Sequence, residues 1–99
     1  MANYVLAFRG RPDRTAPDGA AEAWGAWFGS LGPALADPGH RVQSVRTLPG
    51  SGPGNGDGST LTGYIMITAQ DDEAAAALAA GCPGLQTGLS VEVGHAVDA

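Results

Sequence analysis

Lysine is absent from this chain, and cysteine occurs once, at Cys82. All five cations are arginines, set against ten carboxylates, and the formal charge is −5 at neutral pH. That balance excludes the concentrated positive field that a polynucleotide or an anionic membrane surface requires. Arg9, Arg11 and Arg14 do cluster, but Asp13 and Asp18 lie among them, which suits a small anion better than a phosphate backbone. The lone cysteine excludes an intrachain disulfide and argues against a disulfide-stapled secreted scaffold. Long apolar runs are also missing, and no segment approaches the ~20 residues of a membrane-spanning helix. The opening residues, MANYVLAFRG, have no basic stretch before their apolar run and no cleavage site after it, so no secretory leader is expected. The expectation is a cytoplasmic protein with neither nucleic-acid nor membrane partners.

What is present fits one globular domain spanning residues 1–99: 43% of residues are hydrophobic and 15% charged. A chain of this size buries a modest share of its surface, and self-association is a natural route to further stability. Glycine is abundant, with 16 in the chain, and it takes every second position from Gly50 to Gly58. The surrounding segment, TLPGSGPGNGDGSTLTGY (47–64), therefore has to be tested as an anion cradle or metal loop. A P-loop needs Gly-Lys-Ser/Thr leading into a helix, and there is no lysine. The dinucleotide fingerprint fails because Asn55 or Asp57 stands where its third glycine belongs. A calcium loop starting at Asn55 would place Thr60 at its obligatory glycine and Met66 at its bidentate glutamate. The segment reads as a connection between two strands.

Alternation of apolar residues over 3–9 (NYVLAFR) predicts a strand, which Gly10, Pro12, Pro17 and Gly19 interrupt. Trp24, Trp27, Phe28, Leu31 and Leu35 then fall on one helical stripe, with Thr15 or Asp18 as candidate caps and Pro38-Gly39 as the stop after Asp37. Residues 40–48 carry an imperfect strand pattern, and 60–69 (TLTGYIMITA) a clear one. An alanine-rich helix follows, with Asp71 as N-cap, Asp72 and Glu73 near the positive end of its dipole, and Gly81 after its last turn. Residues 89–97 (LSVEVGHAV) close the chain with a further alternation. The order βαββαβ predicts an α+β, ferredoxin-like fold: a four-stranded antiparallel sheet with both helices on one face. The second face then needs cover, and a homodimer through it is expected.

Several side chains are candidates for chemistry. His40 lies at a junction beside Asp37 and Arg41, where it reads as a surface histidine or, in a pocket, as a general base. His95 near the end of the last strand has the same two readings. Cys82 follows a helix C-terminus, where the dipole disfavours a thiolate, and it reads as a small buried hydrophobe. Trp24 and Trp27 are core or interface anchors, or else one wall of a ligand pocket between the first helix and the sheet. Arg9 and Tyr64 are the polar groups expected at such a pocket, which would suit a small aromatic or carboxylate-bearing molecule. No zinc-type spacing links the histidines, Cys82 and the carboxylates, so neither a metal nor another cofactor is expected.

Taken in order, YVLAFRG, AWGAWFGSLGPALADPG, LTGYIMITAQDDEAAAALAAGCPGL and GLSVEVGHAV resemble the YCII-related (DGPF-type) family of small dimeric α+β barrel proteins. The resemblance covers nearly the whole chain and includes the Gly63-Tyr64 pair leading into a strand and the Cys-Pro after the second helix. It implies a dimeric α+β barrel. Some members resemble dehydrochlorinases or isomerases of aromatic breakdown, and others are associated with sigma-factor regulation. The family's Asp-Gly-Pro-Phe segment is missing, with the glycine-rich segment in its place, and the first helix lacks the histidine that some members carry. These departures favour a binding or accessory module over a cofactor-independent isomerase or lyase. In the enzyme alternative His40 is the base and Arg9 steadies the developing anion.

Overall fold

A computed structural model describes residues 1–51 and 58–98. Four strands, β1 (Ala2–Gly10), β2 (Leu35–Arg41), β3 (Thr60–Ala69) and β4 (Ser90–His95), form one antiparallel sheet in the order β2-β3-β1-β4. Two helices, α1 (Ala20–Leu31) and α2 (Asp72–Ala79), lie in the crossings from β1 to β2 and from β3 to β4. The α+β class, the antiparallel sheet and the two helices agree with the sequence reading. Residues 52–57 of the glycine-rich segment lie outside the described residues.

The period-two alternation of β1 and β3 decides which way each side chain points. Tyr4, Leu6 and Phe8 of β1 and Ile65, Ile67 and Ala69 of β3 face the helices and are buried. Leu6, Ile65 and Ile67 are the largest fully enclosed side chains, and burial of each contributes about 1.5–3 kcal/mol. Trp27 and Leu31 of α1 and Ala75 and Ala79 of α2 complete this core, with Cys82 beside them. Among the described residues no charged side chain is buried.

Three local expectations are corrected. The first helix ends at Leu31, not Asp37, and Leu35 begins β2 rather than closing the helical stripe. Gly32, at φ 54° and ψ −131°, breaks the helix, and Pro33 opens a 3-10 turn that redirects the chain. The second strand accordingly spans Leu35–Arg41 instead of 40–48; Val42 adds one more bond, from its N–H to the Thr62 carbonyl, at 2.9 Å. Neither Thr15 nor Asp18 caps α1: Gly19 holds the N-cap in a left-handed conformation and no side chain bonds there. The second helix keeps its predicted cap, with Asp71 Oδ1 accepting from the Ala74 N–H at 2.8 Å.

Candidate functional site

The sheet has one face covered by helices and one uncovered by any described residue. Val5 and Ala7 of β1 and Tyr64, Met66 and Thr68 of β3 point to the uncovered face and are half-buried by their neighbours alone. Polar groups frame this apolar strip. Arg9 directly follows the buried Phe8 and so points the opposite way; its guanidinium donates to the Ser59 carbonyl at 3.1 Å and lies 3.8 Å from Glu92. The Arg9 side chain is 22% exposed and Glu92 68%, so the pair sits at the rim and contributes little stability.

His40 reaches the same face through an irregularity in β2. Asp37 lies opposite Met66 and His40 opposite Tyr64, which leaves Pro38 and Gly39 bulged out between them. Asp37 Oδ1 accepts from the Gly39 N–H at 2.8 Å and closes the turn. Gly39 adopts φ +62°, and a Cβ there would run into the Tyr64 carbonyl, so the bulge requires glycine. A bulge of this kind re-aims the next side chain. The His40 ring is thereby set against Tyr64, with Nδ1 and the phenol oxygen sharing a 2.9 Å hydrogen bond.

Trp24 and Trp27 lie on the other side of the sheet from Arg9, His40 and Tyr64, so the structure does not gather the five candidates into one pocket. Phe8 holds both indoles edge-on, at ring separations of 5.1 and 6.1 Å, and Phe28 stacks on Trp27. Trp27 is buried and donates from Nε1 to the Leu78 carbonyl at 3.2 Å, joining α1 to the end of α2. A Cβ on Gly81 would press on that indole at 3.1 Å, which accounts for the glycine after α2. Trp24 is half-buried and lines a shallow recess of about 80 Å3 with Pro17, Asp18, Ala23, Pro83 and Thr87.

His95 stands opposite Tyr4, on the helix-covered side, and stacks on its ring at 5.1 Å. The two histidines therefore occupy opposite faces, and both are exposed. Neither is hydrogen-bonded to a carboxylate among the described residues. Tyr4 donates to Asp72 Oδ1 at 2.8 Å. Burial, the bond to Asp72 and the charges of Asp72 and Asp71 all raise its pKa. The Cys82 thiol is pushed up by burial, which outweighs the opposing bonds from Gly84 and Leu85 and the charge of Arg14. It is a core side chain rather than a nucleophile.

Two links had no signal in the sequence. Arg14 anchors the loop after β1 by donating from Nε to the Thr87 carbonyl and from a terminal nitrogen to Thr87 Oγ1, both at 2.7 Å. The Tyr4–Asp72 bond ties β1 to the start of α2 across 68 positions of sequence. Among the described residues no cluster of His, Cys, Asp or Glu could hold a metal ion, and no helix is long and apolar enough to cross a membrane. The chain matches no protein-family model, no curated protein and no solved structure.

Proposed function

We propose that this chain is a homodimeric binding or accessory module of the ferredoxin-like, dimeric α+β barrel type, related to the YCII family and working in the cytoplasm. The strand order β2-β3-β1-β4 supports that arrangement. Its uncovered sheet face receives a small aromatic or carboxylate-bearing molecule against a second copy. One observation carries the reading: Arg9, His40 and Tyr64 share one face around the apolar strip of Val5, Ala7 and Met66. An arginine at the rim pairs with a carboxylate, and the strip accepts a ring.

A second reading, a cofactor-independent isomerase or lyase, draws on the His40–Tyr64 bond, which orients the imidazole and leaves Nε2 free to act as a general base in the tautomer where Nδ1 donates to the phenol oxygen. The exposure of His40 and the lack of a hydrogen-bonded carboxylate among the described residues favour binding without turnover.

A thermal-shift screen of aromatic acids, lactones and quinones tests both readings. Ligand at about 100 times its dissociation constant adds ~2.7 kcal/mol of stability. The shift should be lost in Arg9→Ala and weakened in His40→Ala, while Trp24 fluorescence, on the far side of the sheet, stays unquenched. Quenching of Trp24 would move the site to the recess beside Pro17 and Pro83. A screen without hits removes the ligand, and conversion of a hit to product establishes the enzyme.

A further inference from the structure

The two edges of the sheet differ in a way that the uncovered face does not explain. The β2 edge is broken twice in register, contains Pro38, which has no N–H, and carries Asp37, His40 and Arg41. These are the devices that stop an edge from pairing with another chain. The β4 edge carries Glu92 and His95 but has neither a proline nor a break in register. Its register with β1 runs unbroken from Tyr4↔His95 to Arg9↔Ser90, without proline or bulge, and Val93 is 37% exposed.

Hydrogen-bond phase shows which groups this edge offers. Ala96 donates its N–H to the Asn3 carbonyl, so Gly94, Glu92 and Ser90, at alternate positions, also turn their backbone groups toward β1. The N–H and C=O groups of Val91, Val93 and His95 point outward, and no described strand lies beyond them.

We propose that the β4 edge pairs with the β4 edge of a second copy of this chain, antiparallel about a twofold axis through Val93. In this register Val93 faces Val93 and Val91 faces His95, so every outward backbone group of β4 finds a partner. Glu92 falls opposite Gly94. A shift that centred the pair on Glu92 would set two carboxylates face to face, which is destabilising. The Arg9 guanidinium, 3.8 Å from Glu92, further offsets that charge within its own chain. Side-chain parity is preserved across the axis, so the two sheets continue as one, with both helical layers on the same side. This contact is separate from the face-to-face dimer and does not depend on it.

The test combines residue-resolved amide exchange with mass in solution for the wild type, Val93→Pro and Met66→Glu. Proline at 93 removes an outward N–H and no bond to β1. The expected result is that the Val91, Val93 and His95 amides slow as protein concentration rises, and that Val93→Pro lowers the mass. If the proline variant fails to fold, Val93→Lys replaces it, and the wild-type exchange data still decide. The pairing is overturned if those amides exchange as free groups while the chain is associated, if only Met66→Glu lowers the mass, or if the chain is monomeric throughout. The Met66→Glu outcome would leave the face-to-face dimer standing, so the two contacts are told apart.

Discussion

Tyr4 joins three parts of the molecule: its ring lies in the core, its hydroxyl holds Asp72, and His95 stacks on it. The raised pKa gives this arrangement a signature at alkaline pH. Above the ordinary phenol value of 10.0 the unfolded chain releases the Tyr4 proton while the folded chain keeps it. The stability from this group is therefore complete below that pH and declines as pH rises through the folded-state value. Cys82 acts in the same direction above its ordinary 9.0. Tyr4→Phe should flatten the Tyr4 part of the alkaline slope and lower stability at neutral pH, because the Asp72 carboxylate loses a hydrogen-bond donor. Urea unfolding at neutral pH and at a series of alkaline values measures both. An unchanged slope in Tyr4→Phe would assign the alkaline loss elsewhere.

Helix α2 has eight residues, DEAAAALA, and its buried members are the small Ala75 and Ala79, so neither its length nor its apolar area is enough to hold it. Its ends hold it instead: Asp71 caps the first turn and Trp27 takes up the Leu78 carbonyl near the last. Asp71→Ala should cost ~1 kcal/mol. Trp27→Phe should cost about 0.5–1.5 kcal/mol for the lost indole bond, since the Leu78 carbonyl keeps the Gly81 N–H at 3.3 Å, and more through reduced packing. Both should speed amide exchange in α2 before that in β1 and β3; exchange that rises equally everywhere would show that the helix does not open separately. The Asp71 cap could be read in the sequence because Asp-Asp-Glu before an alanine run has a single helical meaning. Strands β1 and β3 were equally legible, since alternation with one buried face leaves one register open. Strand β2 was hidden because Leu35 continues the stripe of Trp24, Trp27, Phe28 and Leu31, and only the backbone break at Gly32-Pro33 tells strand from helix. At the site, the placement of Arg9 and Tyr64 follows from strand parity. The partnership of His40 with Tyr64 depends on the Asp37–Gly39 bulge, which no period in the sequence encodes.

At the scale of the whole molecule, charge and the uncovered face act against each other. The face offers an apolar strip, while each chain carries a formal charge of −5. Among the described residues of the face, the Arg9 guanidinium lies beside Glu92 and so adds no surplus positive charge to offset this. Two like-charged bodies held by apolar contact should associate more tightly when salt shields the repulsion. Raising ionic strength from about 0.01 M to 0.15 M shortens the screening length from ~30 Å to ~8 Å, which removes most repulsion between charges outside the contact. The dissociation constant from sedimentation should therefore fall over that range, and fall again as pH drops toward the isoelectric point near 4.6. Salt that weakens association would show the opposite design, with opposite charges meeting across the interface. Arg9 and Glu92 would then be the first pair to reverse, because a partner that separated them would turn a rim contact into the determinant of assembly.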